Sequence, residues 1–333
     1  MKKNAVMFLT VGVLSLALVL AGLGNAAAAD KIVLKLGNIQ NVESPLAKGC
    51  VRFAELVGQK SNGRLDVQVY PSSQLGSAPD QLKGVSIGSQ DMFVDGWSFQ
   101  AALSKDWTIL STGFVLKDME QVKKLLASDV GKALFEDLRA KSNIRVIGSN
   151  WYRGGRQLYS KRPIKSVADL SGVKIRVPNK TYFLTWKQLG AAPTILDWGE
   201  TYGALQQGVV DATEVPISDA YTSKIFEVVK NVTMINYIPQ AAPLVMNDKK
   251  FQSLSPELQK VILDAAKEAG DYMSKLQIDS EREYIAQLKK AGIAFYTPDI
   301  AEWIAKAKPL PIKLEEDGAW SKGLYERLQA AVK

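Results

Sequence analysis

The chain has 333 residues, of which 42 are basic, 34 are acidic and none is histidine. The absence of histidine excludes catalysis by Ser-His-Asp or Cys-His groups and nearly every usual zinc site, and the glycine-rich loops that cradle phosphates are also missing. The basic residues are dispersed along the chain, so the formal charge of +8 does not indicate a nucleic-acid-binding surface.

Residues 1–29 have the pattern of a secretory signal peptide. Two lysines follow Met1, an apolar run extends over 6–23, and alanines at 26–29 supply small residues for cleavage. The apolar run is nearly long enough for a membrane anchor, which needs about 20 apolar residues, and an anchor remains the alternative. The alanines and the charged Asp30 favour cleavage, so we expect an exported chain of about 300 residues with two domains.

The segment after the signal peptide alternates strands and helices, as in an α/β unit. Its lone cysteine, Cys50, falls on the apolar face of the first helix and is expected to be buried. The predicted elements are strand 31–37, helix 44–60, strand 65–69, helix 79–88, strand 92–94, helices 119–126 and 129–141, and strand 144–147.

A second α/β unit follows residues 151–153. Arg176 lies in its strand-like run 173–177, where rigid backbone would hold a planar guanidinium that matches a carboxylate with two parallel hydrogen bonds. The predicted elements are strand 157–160, strand 173–177, helix 181–189, a helix from 200 to Gly208, strand 209–213, a helix around 217–228 and an extended return at 237–245.

A long helix is predicted from Ser255 onward. Ser255 suits the N-cap and Pro256 the first helical position, and apolar residues recur at helical spacing from Leu258 to Leu288. A helix of some 35 residues is about 50 Å long, which exceeds one small domain. The alternative is two helices with a break near Gly270.

Four ordered segments carry a resemblance to a known family. They are 61–63 (Ser-Asn-Gly), 70–76 (Tyr-Pro-Ser-Ser-Gln-Leu-Gly), 154–157 (Gly-Gly-Arg-Gln) and the stretch 169–214. Their order and spacing resemble the solute-binding proteins of TRAP transporters, of the DctP type. The resemblance implies a two-lobed α/β fold like that of periplasmic binding proteins, with a long helix spanning both lobes. The expected division is signal peptide 1–29, lobe I at 31–152 plus 242–280, lobe II at 153–241 plus 281–308, and a C-terminal helical segment 309–333.

The resemblance also assigns roles to single residues. It aligns Arg176 with an arginine that clamps the ligand's carboxylate, Arg156 with an arginine near the ligand, and Trp198 with a residue that borders it. Trp198 is equally compatible with a core position, because aromatic residues on a helix are usually core.

Further ligand-binding candidates follow from their places at strand ends, where α/β folds put their sites. These are Trp97, Trp151, Tyr152 and Gln40, the last as a source of hydrogen-bond donors from the first lobe. Val215 departs from the family, because relatives that bind polyhydroxylated acids often have asparagine there. Together with the tryptophans, Val215 favours a less hydroxylated solute, unless it merely packs in a hinge strand.

The predicted function is that of a periplasmic receptor, without cofactor or catalytic activity. It binds a small organic carboxylate, an aromatic or aliphatic acid being favoured, and delivers it to the membrane subunits of a TRAP transporter. Nucleic acid is not an expected partner. The alternatives are a receptor for a sugar acid such as a uronate, a receptor for an ATP-driven importer or sensor kinase, and a secreted enzyme with a two-lobed cleft.

Overall fold

A computed structural model describes residues 31–333, so the predicted signal peptide lies outside the described residues. Two β-sheets form the centres of two lobes, which confirms the predicted fold class. The strands are β1 Ile32–Gly37, β2 Leu65–Tyr70, β3 Met92–Val94, β4 Ile144–Gly148, β5 Tyr152–Ser160, β6 Lys174–Val177, β7 Ala192–Ile195, β8 Ala212–Pro216, β9 Asn231–Thr233, β10 Pro239–Ala241, β11 Leu244–Asn247 and β12 Ala294–Tyr296. The first sheet has the order β2-β1-β3-β11-β4 and the second the order β12-β9-β5-β8-β6-β7, with β10 paired to β5.

Helices flank both sheets. Most begin at polar N-caps, such as Ser44, whose hydroxyl accepts a hydrogen bond from the Ala47 amide at 3.1 Å. The helices are Pro45–Lys60, Ala78–Ile87, Met119–Ala127, Asp129–Ser142, Lys180–Leu189, Thr201–Gln207, Ile217–Thr222, Ile225–Val228, Asp248–Gln252, Pro256–Lys290, Ile300–Ala307, Pro309–Glu316 and Leu324–Ala331. No helix among residues 31–333 is long and apolar enough to span a membrane.

Several local predictions differ from the structure. The helix predicted around 217–228 is two short helices, because Lys224 between them adopts the left-handed conformation with a φ of 57°. The strands β7, β9 and β12 were not predicted, since each has only three or four residues and little alternation. Two 3₁₀ helices, Trp97–Ala102 and Lys105–Ser111, were also missed.

The long helix Pro256–Lys290 is continuous over 35 residues, so the predicted single helix is confirmed and the alternative of a break near Gly270 is wrong. It packs against helix Pro45–Lys60 in the first lobe and against β5 and helix Ile217–Thr222 in the second. Besides this helix, the chain passes between the sheets from β4 to β5 and from β10 to β11. Only a few backbone segments therefore join the lobes.

At Gly270 in the long helix, neighbouring residues leave no room for a side chain. A Cβ there would lie 2.5 Å from Asn150 Oδ1 and 2.6 Å from Trp151 Cδ1. We expect Gly270→Ala to lower the free energy of unfolding although alanine has the better helix propensity, since overpacking typically costs about 1–3 kcal/mol. Chemical denaturation checks this.

The matched control is Gly58→Ala in helix Pro45–Lys60. A Cβ at Gly58 would meet no atom within 4 Å. This variant should gain up to about 1 kcal/mol from helix propensity alone. Equal effects of the two alanines would contradict the packing argument.

Candidate functional site

A cavity lies between the two lobes, with an empty volume of about 300 Å³. Its walls come from the ends of β1 and β3 on one side and from β5, β6 and β8 on the other. The lining residues are Ile39, Gln40, Asp95, Ser98, Phe99, Arg153, Arg156, Arg176, Pro178, Trp198, Val215 and Gln240. A second cavity of about 650 Å³ shares five of these residues and continues outward past Ser77 and Asp197. The inner cavity is thus the more deeply buried end of a crevice.

Arg176 is a buried cation without a buried anion in contact with it. It lies on β6, which is hydrogen-bonded to β7 and β8, and only 3% of its surface is exposed. Its Nε donates to the Leu196 carbonyl at 2.9 Å, and its terminal nitrogens have no acceptor within residues 31–333. Burial lowers the pKa of Arg176 to about 10, with the positive charge of Arg156 adding to the shift and Glu214 opposing it. The guanidinium therefore remains charged at neutral pH and offers a two-nitrogen fork to an anion.

Trp198 covers Arg176. The guanidinium carbon lies 5.5 Å from the centroid of the indole ring, a cation–π distance. The tryptophan opens a 3₁₀ turn whose N-cap, Asp197, makes a reciprocal capping arrangement with Glu200. The ring is thereby held on a fixed turn beside the charge.

Arg156 also lines the cavity, but most hydrogen-bond donors of its guanidinium are taken by another residue of the protein, Glu214. Arg156 Nε and Nη2 both donate to the Glu214 carboxylate, Nη2 also donates to the Glu214 carbonyl at 2.7 Å, and Nη1 donates to Gln240 Oε1 at 3.1 Å. Burial alone would lower the pKa of Arg156, but Glu214 offsets this and the pKa is raised well above its usual value. The two charges of this buried pair cancel, so among residues 31–333 Arg176 is the cation of the cavity that has no carboxylate partner.

Arg153 joins the two lobes through buried carboxylates. Its Nη1 donates to Asp95, which follows β3 in the first lobe. Its Nη2 and Nε both donate to Asp219 Oδ2 of the second lobe, at 2.9 and 3.0 Å respectively. Burial raises the pKa of Asp219, the charge of Asp95 adds to the shift, and Arg153 opposes it. Asp95 further accepts a hydrogen bond from Gln40 Nε2 at 3.0 Å. A continuous polar network therefore crosses the crevice.

Five of the eight predicted ligand-binding residues meet at this cavity: Gln40, Arg156, Arg176, Trp198 and Val215. Val215 is buried on β8, next to Glu214. The structure places the other three predicted residues, Trp97, Trp151 and Tyr152, outside the cavity lining.

Trp151 lies in the core of the first lobe and not in the crevice. Its indole nitrogen donates to the Ala266 carbonyl of the long helix at 2.9 Å. The ring fits a slot formed by Gly49, Gly148 and Gly270, where any Cβ would come within about 3 Å of it. The indole is thus a packing element between β4 and two helices.

Tyr152 and Trp97 also lie away from the cavity. Tyr152 is half-buried at the outer surface, with Lys123 Nζ 5.5 Å from its ring centroid. Trp97 is 1% exposed in the apolar core, whereas Ser98 and Phe99 of the same 3₁₀ helix line the cavity. The first-lobe aromatic side chain of the crevice is therefore Phe99.

Three cavity residues that were not predicted from the sequence share one signal. Asp95 directly follows β3, and Ser98 and Phe99 lie just beyond it, at the carboxyl end of a parallel strand where α/β folds bind ligands. Gln240 comes from the return segment, and its importance is visible only through its contact with Arg156.

Comparisons with known proteins agree with this geometry. The family model of the bacterial extracellular solute-binding proteins, family 7 (DctP), matches residues 36–317. A solute-binding protein of Roseobacter denitrificans is 30% identical, over 89% of this chain and 91% of its own length. The 2,3-diketo-L-gulonate-binding periplasmic protein of Escherichia coli is 33% identical, over 74% of this chain and 75% of its own.

Solved structures show the same fold. A TRAP periplasmic solute-binding protein from Ochrobacterium anthropi with bound L-fuconate has a TM-score of 0.85 and 32% identity, covering 91% of this chain and all of its own. Another, from Roseobacter denitrificans with bound L-galactonate, has a TM-score of 0.84 and 27% identity, covering 92% of this chain and all of its own. The chain therefore belongs to the DctP family of bacterial extracellular solute-binding proteins, as its four sequence segments predicted.

Proposed function

We propose that the protein is a periplasmic receptor that binds a sugar acid in the crevice and delivers it to the membrane subunits of a TRAP transporter. The observation that carries this proposal is Arg176, a buried residue that lines the cavity and whose terminal nitrogens have no acceptor within residues 31–333. A buried charge is costly unless it is paired, so the site is built for an anion that arrives from outside. A carboxylate fits the fork with two parallel hydrogen bonds.

The class of acid follows from the relatives and from the cavity wall. Relatives in this family carry L-fuconate and L-galactonate, both sugar acids. The predicted preference for an aromatic or aliphatic acid relied on Val215 and three tryptophans. Val215 and Trp198 line the cavity, whereas Trp97 and Trp151 do not. The polar groups of Gln40, Ser98 and Gln240 line the same space. These observations favour the alternative, a sugar acid, over the apolar solute.

Transport requires the crevice to open and close. We place lobe I at 31–152 plus 242–280 and lobe II at 153–241 plus 281–308, with hinges near 151–153 and 241–244, where the chain passes between the sheets. Two backbone irregularities support these hinges: Gly154 has a φ of 83°, and the pairing of β10 with β5 shifts register between Gln240 and Ala241. A solute that touches both lobes favours the closed population.

The predicted export signal and the receptor class fit a periplasmic location, and two relatives are named as periplasmic binding proteins. Membership of a solute-binding family fits a receptor rather than an enzyme. The acidic side chains in the crevice contact arginines, and this pairing gives no indication of a general base.

A thermal-shift screen tests the proposal. L-fuconate, L-galactonate and D-glucuronate are compared with benzoate and hexanoate, and with the uncharged sugars L-fucose and D-galactose, on the purified mature protein. Binding to the folded state adds about 2.7 kcal/mol of stability at a hundred times the dissociation constant. We expect a shift with at least one sugar acid. A shift with benzoate or hexanoate alone would overturn the sugar-acid assignment, and a shift with uncharged sugars alone would overturn the carboxylate receptor.

A further inference from the structure

We infer that Gln40 accepts a hydrogen bond from a hydroxyl group of the solute and so selects hydroxylated acids over acids that have no hydroxyl group. This inference rests on the proposed function, in which Arg176 holds the carboxylate. Gln40 is 1% exposed and lines the same cavity as Arg176, but it belongs to the opposite lobe. Its Oε1 is buried and has no hydrogen-bond partner among residues 31–333.

The side-chain amide of Gln40 cannot turn over. Its Nε2 donates to Asp95 Oδ2 at 3.0 Å, and a charged carboxylate is only an acceptor. Turning the amide would place two acceptors against each other. Asp95 is itself fixed, because it also accepts from Arg153 and from the Gly96 amide at 2.6 Å. The network thus occupies the amide nitrogen and leaves the carbonyl oxygen for the solute, so Gln40 supplies an acceptor where the sequence predicted donors.

The backbone on both sides of Gln40 is fixed as well. Its amide donates to Asn38 Oδ1 at 3.0 Å, and its carbonyl accepts from the Ser72 amide at 2.9 Å. Asn38 and Asn41, which follow the same strand, use their side-chain oxygens within the loop, accepting from the Gln40 and Glu43 amides. Gln40 is therefore the member of this polar loop that lines the cavity and also has a buried side-chain oxygen without a partner among residues 31–333.

A buried acceptor requires a donor. The carboxylate of the solute has no hydrogen to donate at neutral pH, so the donor must be another group, and a hydroxyl fits. A plain acid would leave Gln40 Oε1 unpaired in the closed crevice, which costs the desolvation of that oxygen. Sites built to hydrogen-bond a hydroxyl discriminate strongly against analogues that lack it.

The test compares two six-carbon acids, L-galactonate and hexanoate, by calorimetric titration of wild type and Gln40→Met. Methionine has similar length and no comparable acceptor. We expect Gln40→Met to bind L-galactonate about tenfold or more weakly and hexanoate equally well or better. The matched control is Gln59→Met, the same substitution at an exposed helix position.

The two probes separate selection from a structural role. If Gln40→Met leaves the ratio of the two affinities unchanged, for example by weakening the binding of both acids equally, the assignment of Gln40 is overturned. Single-deoxy derivatives of L-galactonate give a test on the wild-type protein alone. Because Gln40 supplies one acceptor, we expect removal of one particular hydroxyl to lower the affinity much more than removal of the others. The inference would be overturned if no derivative lost affinity. If no sugar acid binds the wild type, the proposed function fails and this inference fails with it.

Discussion

Arg176→Ala is expected to abolish binding of the solute while the ligand-free protein remains folded. Truncating one partner of a buried charge pair costs about 2–5 kcal/mol of binding, which corresponds to a loss of affinity of roughly 30- to 4000-fold. Arg176→Lys should also bind poorly, because a compact ammonium cannot reproduce the two parallel hydrogen bonds of the guanidinium. Calorimetric titration with the acid found in the thermal-shift screen measures both losses.

The stability of the ligand-free variant separates a binding role from a structural one. Folding lowers the pKa of Arg176, so the fold holds this cation at a cost at neutral pH. The melting temperature of Arg176→Ala without solute should therefore fall little or rise. Arg282→Ala, at an exposed position of the long helix, is the control for loss of a positive charge. Near-wild-type affinity of Arg176→Ala would remove the assignment of Arg176.

The pair of Arg156 and Glu214 is expected to govern stability. Both side chains are almost completely buried, and the Tyr237 hydroxyl also donates to Glu214. Glu214→Leu leaves Arg156 as an uncompensated cation near Arg176, and Arg156→Met leaves a buried carboxylate. Each single variant should lose about 3–5 kcal/mol of unfolding free energy, measured by chemical denaturation.

The double variant Arg156→Met/Glu214→Leu tests the cause of that loss. Removing both charges should recover most of the stability, because well-packed apolar residues often replace a buried ion pair without loss. Lys260→Ala, which breaks an exposed pair with Asp264, should change stability by less than about 1 kcal/mol. The burial argument would be contradicted if Arg156→Met and Glu214→Leu lowered the unfolding free energy no more than Lys260→Ala does.

The sequence was most informative where the signal is local. The N-cap Ser255, the following Pro256 and the spacing of apolar residues predicted the long helix, and these features act within a few turns. The strand position of Arg176 was likewise visible in 173–177. The resemblance of four ordered segments to a family then predicted the fold class.

The sequence was least informative where distant segments meet. Trp151 lies in the core because Gly49, Gly148 and Gly270, from three different elements, leave room for its ring. A tryptophan at a strand end gives no local signal of such a slot. Arg153 likewise contacts Asp95 and Asp219, which are 58 and 66 residues away along the chain. Only the folded arrangement shows that Arg156 and Arg153 are paired and that Arg176 has no anionic partner in the described part of the chain.

The central claim is that the crevice binds its solute through the carboxylate. The most direct measurement is a calorimetric titration of the wild-type protein with the sugar acid found in the thermal-shift screen and with its alcohol analogue. This analogue has the same carbon chain with an alcohol in place of the carboxylate, as galactitol has relative to L-galactonate. The proposal predicts that the acid binds and that the alcohol binds at least about 30-fold more weakly, because only the acid pairs with the buried guanidinium of Arg176. Equal affinity for the acid and the alcohol would contradict it.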